Sequence, residues 1–376
     1  MKSLKHFSSC FAWVAFFIFL TSLIATNAYG VWVEPYLKKV DTKDVWSINV
    51  LRYRFTGGDW KLVERMSSEY STAGDLIRET RHTADGLLQY EYIYRYNDRG
   101  HMIEITGQRR RREQLVPYAY TYRYDERGNQ VEGIGYGADG SETSRYTARY
   151  DENDNFVEGV EYINGDVVSK YVAEYDERNN LINESKYAVY RYKGSEGYQL
   201  EYKQVFSYDG RDNLITEKKY SREERLEYHY VYQYDDQDNL ISGTSLAEDG
   251  SVISRYTAEY DKNNNLITSV HNGPEGDITS KHRASYDSRN NMIEEIDCTG
   301  DPAKVIFRGE YNEAGDVLEE THYSDSVIGG AGLDYRYRYA YDSRNNRIEE
   351  TYFVYFTEEE VWKPISRQVN EISYHE

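Results

Sequence analysis

Eleven tyrosines recur along this chain at near-constant spacing, and each opens the same short phrase. They are Tyr70, Tyr96, Tyr124, Tyr150, Tyr175, Tyr208, Tyr234, Tyr260, Tyr286, Tyr311 and Tyr341, at intervals of 26, 28, 26, 25, 33, 26, 26, 26, 25 and 30 residues. A fixed period of this length marks one supersecondary unit copied in tandem, not a conventional single-core domain.

The residue after each tyrosine is Asp eight times, Asn at 97 and 312, and Ser at 71. A short acceptor there can cap its own backbone two residues on and start a tight turn. Four residues after the tyrosine stands Gly, Asn or Asp: Gly74, Gly100, Gly128, Asp154, Asn179, Asp212, Asp238, Asn264, Asn290, Gly315 and Asn345. These types tolerate positive φ best, and a type I turn closed by one left-handed residue is a common hairpin connection. Seven residues after the tyrosine comes Ile, Val or Leu, from Ile77 and Ile103 to Leu318 and Ile348. Each phrase therefore reads as strand, turn, strand.

The incoming strand alternates. Tyr118, Tyr120, Tyr122 and Tyr124 share one parity, as do Tyr228 to Tyr234 and Tyr335 to Tyr341. A period of two puts these rings on one face of a sheet, with Arg, Thr, Gln and Ala on the other. A second turn recurs between hairpins, as in Ala138-Asp139-Gly140-Ser141, Asn164-Gly165-Asp166 and Glu248-Asp249-Gly250-Ser251. The predicted fold is all-β. Tandem hairpins form an antiparallel meander of about twenty strands, each of roughly 6–8 residues. An open curved sheet, a spiral and a shell all satisfy this pattern.

Residues 1–30 read as a secretory signal peptide, with Lys2 and Lys5 ahead of an apolar run from Phe11 to Ala25. That run is short for a membrane span, so none is expected once the leader is cleaved. The expected location is periplasmic, cell-surface or extracellular. The formal charge is −20, and about −22 without the two leader lysines, which argues against nucleic acid as a partner. Cys298 alone remains after cleavage, which excludes a disulfide framework. It stands where other units carry an aromatic residue, so it reads as a buried filler.

Residues 31–65, with Trp32, Trp46 and Trp60, read as an N-terminal capping segment. Eleven repeats fill 66–351, and 352–376 read as C-terminal capping strands. Three long spacers hold Arg109-Arg110-Arg111-Arg112, Lys193-Gly194-Ser195-Glu196-Gly197 and Ile328-Gly329-Gly330-Ala331-Gly332. Insertions in arrays map to loops, and the arginine run reads as a solvated one.

The phrase Tyr122-Arg123-Tyr124-Asp125-Glu126-Arg127-Gly128-Asn129 resembles the YD repeat of bacterial RHS-type secreted and surface proteins. The units here are longer than that family's usual twenty or so residues, and its Gly is often Asn or Asp. The resemblance implies an exported array of β-hairpins spiralling into a curved sheet or shell. In large toxin members the shell encloses a C-terminal toxin, released beside an Asp-Pro-x-Gly motif. Asp301-Pro302-Ala303-Lys304 lacks that Gly and lies inside the array, so no such cargo is expected.

Several turns, such as Asp151-Glu152-Asn153-Asp154-Asn155 and Asp261-Lys262-Asn263-Asn264-Asn265, place oxygen ligands at alternate positions and raise the question of calcium. They lack the Gly and Glu of a calcium loop, and turn chemistry already accounts for them, so no cofactor is expected. The tyrosine face, Tyr120, Tyr122, Tyr124, Tyr230, Tyr232, Tyr234, Tyr337, Tyr339 and Tyr341, could stack on sugar rings or serve as a cross-strand ladder. No nucleophile, zinc or phosphate-loop signature occurs. An outer-membrane barrel would need an outward apolar band, whereas the positions between tyrosines are polar and the mean hydropathy is −0.84. The expectation is a non-enzymatic binding or scaffolding protein with a protein or glycan partner. The alternatives are a carbohydrate-binding protein working through tyrosine faces and, more weakly, a hydrolase with a carboxylate pair.

Overall fold

The computed structural model describes residues 44–192, 195–323, 334–357 and 359–375. The signal-peptide reading at 1–30, the start of the N-terminal segment and the glycine-rich spacer at 328–332 lie outside them. The chain divides into Met1–Val40 and Asp41–Glu376, and the fold is that of the second unit.

All regular structure from Val45 onward in the described residues is β-strand. The first eight strands are β1 (Val45–Thr56), β2 (Asp59–Tyr70), β3 (Leu76–Thr83), β4 (Leu88–Tyr96), β5 (Met102–Arg111), β6 (Gln114–Tyr124), β7 (Gln130–Tyr136) and β8 (Glu142–Tyr150). Then come β9 (Phe156–Ile163), β10 (Asp166–Tyr175), β11 (Leu181–Tyr192), β12 (Ser195–Tyr208), β13 (Leu214–Tyr220), β14 (Leu226–Tyr234), β15 (Leu240–Leu246) and β16 (Val252–Tyr260). The last eight are β17 (Leu266–Asn272), β18 (Ile278–Tyr286), β19 (Met292–Asp297), β20 (Lys304–Tyr311), β21 (Val317–His322), β22 (Tyr335–Tyr341), β23 (Arg347–Phe356) and β24 (Val361–Tyr374). Each strand pairs antiparallel with the next, and β1 also pairs with β24 through Ile48↔Ile372 and Val50↔Asn370. The meander is therefore a closed barrel of 24 strands with no free edge. At ~4.8 Å per strand its perimeter is on the order of 115 Å.

The eleven phrases make the 22 strands from β2 to β23, each phrase tyrosine ending an even-numbered strand. Closure comes from the segments read as caps, which supply β1 and β24 and pair with each other. The long spacer between Tyr175 and Tyr208 lengthens β11 and β12 to 12 and 14 residues instead of making a plain loop. Likewise Arg109, Arg110 and Arg111 finish β5, and only Arg112 and Glu113 turn the chain. Alternation explains this: Arg109 faces inward over the Tyr118 ring at 5.3 Å, while the Arg110 guanidinium donates to the Leu88 carbonyl at 2.8 Å.

The phrase turn repeats in detail. At Asp125 the backbone N–H donates to the Asn129 carbonyl at 2.9 Å, and the Gly128 N–H donates to the Asp125 carbonyl at 3.2 Å. Asp125 Oδ1 accepts the N–H groups of Arg127 and Asn129, both at 2.9 Å. The ladder slips by one residue at Arg123/Tyr124, as a bulge with one left-handed residue requires. All eleven fourth positions have positive φ, from 63° at Asp238 to 94° at Gly128.

Two bonds join one unit to the next. The phrase tyrosine hydroxyl donates to the carbonyl of the first residue of the preceding strand, as in Tyr96 to Leu76, Tyr124 to Met102 and Tyr234 to Leu214, at 2.8–2.9 Å. The same bond recurs through Tyr341 to Val317. The fifth-position asparagine then bridges turns. Asn129 Nδ2 reaches its own Asp125 at 3.1 Å and Asp154 of the next turn at 2.7 Å. Asn155, Asn180, Asn213, Asn239 and Asn265 repeat that bridge. At the seam Tyr374 takes the place of a turn, accepting from Asn346 at 2.7 Å and donating to Asp342 at 2.5 Å.

Gly128→Val is expected to cost about 1–3 kcal/mol through left-handed strain, read as a lower urea midpoint; an unchanged midpoint would contradict the turn assignment. Tyr124→Phe, which leaves the Met102 carbonyl without its donor, is expected to cost about 1–2 kcal/mol, and a loss no larger than that of Tyr120→Phe would deny the hydroxyl its joining role.

Candidate functional site: the inner wall

Alternation gives the barrel two different faces. Outward positions carry charge in cross-strand pairs, including Arg95–Glu104 at 3.2 Å, Arg123–Glu132 at 3.1 Å, Arg149–Glu158 at 3.3 Å and Arg308–Glu294 at 3.1 Å. Such exposed pairs add little stability, but they keep these positions hydrated where a bilayer-spanning barrel carries an apolar band. Among the described residues no helix is long and apolar enough to cross a membrane.

The inward positions carry the tyrosines. Tyr92, Tyr94 and Tyr171 are buried on this face. Tyr120, Tyr122, Tyr230, Tyr232, Tyr337 and Tyr339 also point inward and are half-buried, so solvent reaches them. Their rings run in rows along the strands, with centroids 6.4 Å apart for Tyr120–Tyr122, 6.1 Å for Tyr230–Tyr232 and 6.2 Å for Tyr337–Tyr339. Tyr124, Tyr234 and Tyr341 lie at the end of the same face, where their hydroxyls are committed to the preceding strand. Burial, then the charge of Asp209, pushes Tyr234 up to about 12. Gly133 leaves room for the Tyr146 ring, which a Cβ there would strike.

Between the rings lies a set of carboxylates that the sequence reading passed over. Nine residues after the phrase tyrosine stand Glu79, Glu184, Glu217, Glu295, Glu320 and Glu350, all on the inward parity. Tyr90 and Tyr94 donate to Glu79, Tyr171 to Glu184 at 2.5 Å, Tyr228 to Glu217 at 2.9 Å and Tyr339 to Glu320 at 2.6 Å. Burial raises the Glu79 carboxyl above the ordinary carboxylate value, with the Tyr90 and Tyr94 hydroxyls opposing. Burial also raises Glu184, opposed by Tyr171 and reinforced by the Glu217 charge. Glu350 is raised by burial against the pull of Arg347. The signal that could have found these acids was their constant offset from the tyrosine.

The turn aspartates titrate the other way. The Asn155 side-chain amide, joined by backbone N–H groups, holds Asp151 below its ordinary value, and Asn291 does the same for Asp287. The oxygens considered for calcium are engaged in these bonds, Asp151 Oδ1 with the N–H of Asn153 and Asn155 and Oδ2 with Asn155 Nδ2. Among the described residues no His, Cys, Asp and Glu group is arranged to hold a metal ion. Asn179, Asn264, Asn290 and Asn345, like Gly74, Gly100, Gly128 and Gly315, occupy the left-handed fourth position of their turns. Cys298 is half-buried rather than buried, because it follows the end of β19 and enters the loop before β20.

No protein-family model matches this sequence, and no curated protein does. Among solved structures, the crystal structure of TcdB2-TccC3-TEV is similar over 84% of this chain at 12% identity and a TM-score of 0.38. TcdB2-TccC3 without its hypervariable C-terminal region matches over 86% at 13% identity and 0.40. This chain spans about a fifth of those chains, 19% and 20%. A porin-like protein from Bacteroides uniformis aligns over 88% of this chain and 98% of its own, at 12% identity and 0.24. These likenesses are loose, and the site rests on this chain's own geometry.

The two titrations set a pH optimum. Glu79, Glu184 and Glu350 contribute fully below the ordinary value of 4.5, and their contribution is lost as pH rises through their raised folded values. The turn aspartates contribute above 3.8, and lose it as pH falls through their depressed folded values. The thermal midpoint should peak at about pH 4–5, and Glu79→Gln with Glu184→Gln should flatten its decline toward about pH 8. A midpoint that climbs steadily from about pH 5 to 8 would contradict the assignment.

Proposed function

We propose that this chain is an exported, non-enzymatic scaffold that holds a partner against the inner wall of its barrel, at the cell envelope or outside the cell. The observation that carries this reading is the contrast between the faces. Outward charges are satisfied by neighbouring strands, while rows of half-buried rings and carboxylates line the inner wall. Rigid tyrosines offer large contact area with little conformational entropy to lose, and their hydroxyls add polar contacts. The barrel supplies the preorganisation, since the turn bonds and the closed ladder hold each ring on a wall without edges.

Carbohydrate is a second reading. It is favoured by the row Tyr228, Tyr230 and Tyr232, with centroids 5.0 and 6.1 Å apart, beside the Glu217 carboxylate. Flat rings next to an acceptor suit a sugar's apolar face and hydroxyls.

Capture of an envelope protein from a cell extract, or of a glycan on an array, should be lost in Tyr230→Ala with Tyr232→Ala and in Tyr120→Ala with Tyr122→Ala. It should persist in the outward variant Arg123→Ala. Binding that survives both inner pairs, or that only the outward change removes, would overturn the reading.

A further inference from the structure

The inner wall is not uniform. Across β10 to β14 two carboxylates, Glu184 and Glu217, flank Gln204, which stands opposite Glu184 in the ladder and donates to Glu217 at 3.1 Å, and the charge of Glu217 acts on Glu184. Their described hydrogen bonds come only from neutral donors. Tyr171 serves Glu184, while Tyr228, Tyr232 and Gln204 serve Glu217. Glu184 is 6% exposed, and its Oε1 is buried with no hydrogen-bond partner. A buried carboxylate oxygen without a donor is costly, and a neighbouring acid adds to that cost. The surrounding rings show which chemistry relieves it. The Lys219 ammonium lies 5.7 Å from the Tyr202 ring centroid and 6.0 Å from that of Tyr228, while its ion pair goes to Glu227 at 3.1 Å. The edge of this patch thus already accommodates one cation on tyrosine faces, and among the described residues neither inner acid has an ion pair, Lys186 being paired with Glu201 and Lys219 with Glu227.

We propose that the patch of Glu184, Glu217, Tyr171, Tyr202 and Tyr228 is a binding site for an organic cation, an alkylammonium or guanidinium group. The cation donates to the orphaned Glu184 oxygen, offsets the repulsion between the acids and lies against the ring faces, the arrangement by which aromatic cages hold such groups. Guanidinium suits the site well because it is weakly hydrated and both stacks and donates in one plane. This inference rests on the inner wall being the working face. The cation can arrive as a free amine or as a basic side chain of a polypeptide.

Calorimetric titration at neutral pH with arginine amide and with the peptide Gly-Arg-Gly tests it, with citrulline amide as the neutral comparator. Binding of either guanidinium probe and not of citrulline is expected. Equal binding of both would mark a small-amine site, and binding of the peptide alone a polypeptide guest. Glu184→Gln and Glu217→Gln should each weaken binding about ten-fold or more, Tyr202→Leu several-fold, and the outward Glu174→Gln not at all. Thermal midpoints of the variants check that each is folded. Citrulline binding as well as arginine, a folded Glu184→Gln that binds within about two-fold of the parent, or no heat with any cation would overturn the site. Capture of a partner that still depends on Tyr230 and Tyr232 would then leave the scaffold reading standing, whereas capture indifferent to every inner-wall change would remove that reading instead.

Discussion

The structure depends on one local event, a chain reversal that ends in a left-handed residue four places after a tyrosine. The turn slips the ladder by one residue, and the tyrosine before it ends its strand with its ring on the inner face and its hydroxyl within reach of the preceding strand's first carbonyl. Each bond is modest, roughly 1 kcal/mol net. Repetition gives it weight, since the same bond recurs from Tyr96 to Tyr341 and the asparagine bridges run parallel to it along the rim. The units are thereby held in register by bonds between neighbours, as expected of a repeat protein in which each unit meets only the next.

That register decides the chemistry of the two faces. Because side chains alternate strictly along a strand, any one-residue slip would exchange rings for arginines on the inner face. The turn bulges prevent it. Inward go the tyrosines and the acids at the ninth position, of which Glu79, Glu184 and Glu350 gain affinity for protons from burial. Outward go the arginines and glutamates that pair across strands in water. The opposing titrations of inner acids and turn aspartates follow from this division, since burial penalises charge on one and hydrogen bonding favours it on the other.

Tyr120, Tyr230 and Glu184 show how much of the candidate site could be read in advance. The parity of the tyrosines was legible because period-two alternation survives in the bare sequence. The glutamates recur at a constant offset, but among 65 acidic residues their offset was not singled out, and burial, which separates Glu184 from Glu174, is a property of the folded wall. The fifth-position asparagines were likewise in plain view. Their role was not, because Asn129 and Asp154 are 25 residues apart and become neighbours only when two turns lie side by side.

The sequence by itself determined the repeating hairpin, its turn chemistry and the face on which the rings stand, since all three arise from interactions within a few residues. It did not determine closure. Val50 and Asn370 meet across almost the whole chain, and their pairing depends on the curvature accumulated over every intervening strand. Closure, and with it an enclosed wall where acids lose water and one Glu184 oxygen loses its donor, belongs to the tertiary structure alone.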